Sequence, residues 1–144
     1  MALHLRGTDK TLEVPTQVLD GYHQATVADL DAEIDARWPV FLMSDDRRLI
    51  RQATEALGGR RIVTFDSLRC EGREAPHSIF GDGYRLGSDI LTETLIALKA
   101  DAFHGAADSN VAGMIAMLKP WQGKCSLRGI YPLLIQNAAR SDLA

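Results

Sequence analysis

Short apolar runs alternate along this chain with segments of helical period, and that alternation narrows the fold more than any other feature. Val40-Phe41-Leu42-Met43 puts four apolar side chains in a row, as expected of a strand buried on both faces. Met1 to Leu5 is apolar apart from His4, Ile62-Val63-Thr64-Phe65 makes a third run, and Ala102-Phe103-His104 a short fourth. Between the runs lie stripes at helical spacing. Val18, Leu19, Tyr22, Leu30 and Ile34 mark residues 16–37, and Leu49, Ile50, Ala53 and Leu57 mark the next helix. Leu91, Leu95 and Leu98 set up a third, and Val111, Ile115 and Leu118 a fourth.

The punctuation agrees with this order. Pro15 suits a first helical turn, and Trp38-Pro39 ends that helix because the residue before proline avoids the helical region. Ser44-Asp45 can cap the second helix, Gly58-Gly59 stops it, and Pro120 closes the fourth. Residues 66–85, rich in glycine, charge and proline, are expected to form a long loop, a feature that is usually functional or mobile. A final helix is expected over residues 131–139. The grammar predicts an α/β fold, a Rossmann-like parallel sheet with helices on both faces and right-handed crossovers. Its 144 residues suit one domain spanning 1–144.

Composition removes several classes of function. Net charge is −3 with no basic block, which disfavours sequence-independent nucleic-acid binding. No apolar run approaches the roughly 20 residues of a membrane span, and no charged segment leads into an apolar one at the start, as a signal peptide requires. Cys70 and Cys125 are too few and too distant for a disulfide framework or a zinc site and read as free thiols of a reducing compartment. A cytoplasmic protein is expected.

Parallel sheets bind ligands at the carboxyl ends of their strands, which directs attention to the polar residues there. His4 and Arg6, two apart, point to one side of the first strand. The planar fork of Arg6 suits a phosphate or carboxylate; an ion pair with Asp9 or Asp45 is the structural alternative. After the fourth strand, small residues lead to a helix opening at Asp108-Ser109-Asn110. Its free N–H groups and dipole favour an anion, and plain N-capping is the alternative. Asp45-Asp46 can cap a helix, contact a nucleoside or hold a metal. His23 and His77 receive no role.

Three segments, in order, resemble the α-1,6-fucosyltransferase family, which includes the nodulation fucosyltransferases. The family's His-x-Arg-Arg-Thr-Asp-Lys is matched by His4-Leu5-Arg6-Gly7-Thr8-Asp9-Lys10, its Ala-Thr-Asp-Asp strand end by Met43-Ser44-Asp45-Asp46, and its Ala-Asp-Phe strand and Ser-Ser-x-Val helix start by Ala100 to Phe103 and Asp108 to Val111. The resemblance implies the nucleotide-sugar-binding half of a GT-B-type, inverting, metal-independent glycosyltransferase, with a GDP-sugar, such as GDP-fucose, as donor and no other cofactor. It implies Arg6 on the donor phosphates, His4 and Asp46 near the guanine, Ser109 and Asn110 completing the phosphate site, and Glu13 as general base. It also implies a second, acceptor-binding domain or chain, or a second copy, to complete the cleft. Gly7 stands where the family has a second arginine, and Asp108 where it has a serine. Two other readings follow from the same residues: a non-catalytic nucleotide-binding or interaction module, and a metal-dependent phosphohydrolase using Asp45 and Asp46.

Overall fold

The computed structural model describes residues 1–8, 10–71, 74–122 and 124–129, without the side chains of Thr11 and Leu12. The expected helix over 131–139 and the motif residue Asp9 lie outside these. Five parallel strands, β1 (Ala2–Leu5), β2 (Val40–Ser44), β3 (Ile62–Val63), β4 (Phe103–Ala106) and β5 (Cys125–Arg128), form one sheet in the order β3-β2-β1-β4-β5. The helices are α1 (Lys10–Glu13), α2 (Thr16–Glu33), α3 (Arg47–Ala56), α4 (Pro76–Ile79), α5 (Gly83–Ala97) and α6 (Asn110–Leu118).

The strand patterns explain the layering. Successive side chains of a strand point to opposite faces. Leu3, Leu5, Val40 and Leu42 pack with Val27 and Leu30 of α2 and Leu49 and Ala53 of α3. Ala2, Phe41, Met43 and Phe103 pack with Ala97 of α5 and Ala112 and Ile115 of α6. One face therefore carries α2 and α3, the other α5 and α6, and the Rossmann-like α/β architecture expected from the sequence is observed. Burying side chains such as Leu3 and Leu42 completely contributes about 1.5–3 kcal/mol each. Gly105 permits the close fit of α6 on β4: a Cβ there would lie 2.8 Å from Phe103 Cζ and 2.9 Å from Ala112 Cβ.

Three expectations are corrected. Residues 66–85 are not one long loop, because α4 lies within them and α5 already begins at Gly83, capped by Asp82, whose side chain accepts from Arg85 N at 2.9 Å. The loop ahead of α4 also follows the sheet. Cys70 N donates to Asp45 O at 3.0 Å and Arg47 N to Cys70 O at 2.9 Å, an isolated parallel bridge past the end of β2.

The second correction is the orientation of α5. Of the expected stripe only Leu98, just past the helix end, packs against the core: Leu91 and Leu95 are 59% and 62% exposed, while Glu93, Thr94 and Ala97 turn inward. Glu93 is drawn in by Arg69 and Ser67, each of which donates to its Oε1 at 2.8 Å. The third is β5, absent from the expected elements because Cys-Ser-Leu-Arg carries little apolar signal. Its place comes from pairing with β4, in the register Phe103↔Cys125 to Ala106↔Arg128. Among the described residues no helix is long and apolar enough to cross a membrane.

Candidate functional site

From β1 the chain builds outward through β2 to β3, then crosses back to lay β4 on the other side of β1. The direction of winding reverses between β1 and β4, and a crevice forms beyond the carboxyl ends of such a strand pair. A cavity of about 200 Å³ opens there, lined by His4 and Arg6 from the β1 end, Asp45 from the β2 end, Ser109 at the start of α6 and one face of α5. Three segments singled out in the sequence thus meet in one cleft.

Backbone bonds fix the β1 end. Asp45 Oδ1 accepts from Gly7 N at 2.9 Å and its Oδ2 from Thr8 Oγ1, tying the first motif to the end of β2. From the other sheet face, His23 of α2 bonds the carbonyl oxygen of Arg6 through Nε2 at 2.9 Å. A carbonyl only accepts, so Nε2 carries the proton. His23 therefore positions the Arg6 backbone. The sequence offered a histidine on a helix face, with nothing to show which loop it would reach.

His4 is buried, and its Nδ1 has no hydrogen-bond partner among the described residues. Burial pushes its pKa down to about 4; Asp45 opposes that shift and the Arg6 charge adds to it. At neutral pH His4 is an uncharged ring with one N–H to give and one nitrogen to receive. At the start of α6, Ser109 is buried and its Oγ accepts from Ala112 N at 3.4 Å. That is a long bond, so the cap is weak. The first amides of the nine-residue α6 have no intrahelical acceptor, and the helix dipole places partial positive charge there.

The remaining expected site residues lie elsewhere. Asp46 is 1% exposed, caps α3 by accepting from Arg48 N at 2.8 Å, and pairs with the Arg48 guanidinium at 2.7 Å. It does not line the cleft, where its neighbour Asp45 does. Glu13 pairs with Lys10 at 2.6 Å outside the cleft. Asn110 faces outward, beside Met114 and Met117. Gly7 is crowded: a Cβ there would lie 2.6 Å from Asp46 Cβ and 2.9 Å from Leu49 Cδ1. An arginine at position 7 would displace the start of α3.

The cleft also contains Ser67, from the polar stretch after the third strand, and three residues the sequence did not reveal: His77, Asp89 and Glu93. Burial pushes the Glu93 carboxyl up, against the pull of Ser67 and Arg69. The Arg69 side chain is only 9% exposed and spans Ser44 O at 3.0 Å, Ser67 O at 3.3 Å and Glu93. Among the described residues no group of three or more His, Cys, Asp or Glu side chains is arranged to hold a metal. Compared with protein families, curated proteins and solved structures, the chain matches none.

Proposed function

We propose that the cleft binds the diphosphate of a nucleotide sugar, and that this chain is the donor-binding domain of a glycosyltransferase of the GT-B type using a GDP-sugar. The observation that carries the reading is the meeting of His4, Arg6 and the α6 start in one cleft at the winding reversal. A guanidinium, a neutral imidazole N–H and free helix amides are complementary to phosphate oxygens. When the bond from sugar C1 to the phosphate oxygen breaks, negative charge grows on the leaving diphosphate. A fixed Arg6 charge stabilises that charge without a metal. The cavity is smaller than the about 300–1,000 Å³ usual for ligand sites, so the sugar would extend from its mouth toward an acceptor. Glu13, paired outside the cleft, takes no part in donor binding.

The crowding at Gly7 favours a second reading, a nucleotide-binding module without transfer. It leaves Arg6 without the companion arginine that the fucosyltransferase motif carries. A thermal-shift titration tests the first step of both, because a ligand that binds only the folded state raises its stability. GDP at millimolar concentration should raise the melting temperature of the chain, and no shift would refute both. Donor turnover by the chain separates them: release of free sugar or product supports transfer, and GDP binding without turnover supports the module.

A further inference from the structure

Four residues of α5 line the cleft, Leu86, Asp89, Ile90 and Glu93, and their spacing of three and four residues puts them on one helix face. Apolar and acidic side chains alternate along that face. Asp89 Oδ2 accepts from Leu68 N at 2.9 Å, and Glu93 Oε1 accepts from Ser67 Oγ and Arg69 Nη2. These bonds hold both carboxylates in place. The other oxygen of each, Asp89 Oδ1 and Glu93 Oε2, accepts no hydrogen bond among the described residues. A separate sign of a missing ligand lies in the same cleft: the buried Nδ1 of His4 has no partner among the described residues, and native structures seldom leave such an atom unmatched.

We propose that Asp89 and Glu93 are the residues that select the base of the bound nucleotide; this rests on the reading of the cleft as a diphosphate site. Apolar walls with a few fixed polar groups are the usual make-up of a small-molecule subsite, and Leu86 and Ile90 supply the apolar contact here. Carboxylates accept hydrogen bonds and donate none. A base with two adjacent donors on one edge satisfies them, and guanine has that edge in its ring N–H and exocyclic amino group. Uracil offers one N–H between two carbonyl oxygens, which would face the carboxylates lone pair to lone pair. The cleft is therefore divided: Arg6, His4 and the α6 start take the phosphates, and α5 reads the base.

Calorimetric titration of the full chain with inorganic pyrophosphate, GDP and UDP tests this. The wild type should bind GDP about 10- to 100-fold more tightly than UDP, the worth of a hydrogen bond to a charged group. Asp89→Asn keeps an oxygen for Leu68 N and should remove that preference while leaving pyrophosphate affinity unchanged. Glu93→Gln, which keeps an oxygen for Ser67 and Arg69, should act in the same direction. Equal GDP and UDP affinities with pyrophosphate binding intact would overturn the base assignment and spare the diphosphate site. A GDP preference that survives both substitutions would also overturn it. Failure of pyrophosphate and both nucleotides to bind would overturn the diphosphate reading, and the base assignment with it.

Discussion

Gly7→Ala is expected to cost about 2–4 kcal/mol of stability. The added Cβ would sit 2.6 Å from Asp46 Cβ and 2.9 Å from Leu49 Cδ1, closer than carbon atoms approach without movement. Asp46 is poorly placed to yield, because its carboxylate holds both Arg48 N and the Arg48 guanidinium. Leu49, on the buried face of α3, is equally confined. Overpacking of this kind costs about 1–3 kcal/mol, and disturbing the Asp46 cap adds about 1 kcal/mol. With a urea dependence of about 1–3 kcal/mol per molar, the unfolding midpoint should fall by roughly 1–2 M with little change in slope. The φ of Gly7 is not in the left-handed region, so crowding and not backbone strain is the cause. An unchanged midpoint would refute the crowding argument and reopen position 7 to a second arginine.

The remaining predictions concern buried polar groups. His4 titrates near 4 when folded and near 6.5 when unfolded, so the unfolded chain binds the proton more readily between those values. Its contribution, about 3 kcal/mol, is present above pH 6.5 and is lost as the pH falls to 4; the stability of the wild type relative to His4→Leu should fall by that amount over this range, and a constant difference would contradict it. Glu93→Ala leaves the largely buried Arg69 side chain without its carboxylate and should cost about 3–5 kcal/mol in chemical denaturation, whereas Glu93→Gln, still an acceptor, should cost clearly less. Thr94 Oγ1 is buried without a partner among the described residues, so Thr94→Val should be neutral or stabilise by about 1 kcal/mol; a clear loss of melting temperature would show that the hydroxyl is satisfied after all.

Much of the sheet was legible because its central strands leave no alternative. A run such as Val40 to Met43 has no polar face to turn outward, and Leu49, Ala53 and Leu57 of the following helix are buried as their spacing predicts. The failures share a physical cause, which is that pairing between distant residues overrode local pattern. Leu91 and Leu95 looked like a core stripe, yet Arg69, more than twenty residues earlier, holds Glu93 inward and rotates the helix the other way. β5 is defined by its hydrogen bonds to β4 and not by its own side chains. In the cleft, His4, Arg6 and Ser109 were readable because each stands next to a strand end. The two adjacent aspartates were not separable by sequence: only the geometry shows that Asp46 caps α3 while Asp45 holds the loop after β1. His23 and the α5 carboxylates reach the site through folding alone.

The proposed role of Arg6, at the mouth of β1, is to bind a nucleotide diphosphate. Calorimetric titration of GDP into the wild-type chain and into Arg6→Ala tests it, with matched far-ultraviolet spectra to confirm equal folding. Saturable binding at one site is expected, weakening at least about tenfold in the variant, since a charge-assisted phosphate contact is worth about 1.5–3 kcal/mol. Absence of binding at millimolar GDP, or equal affinity in the two proteins, would contradict it.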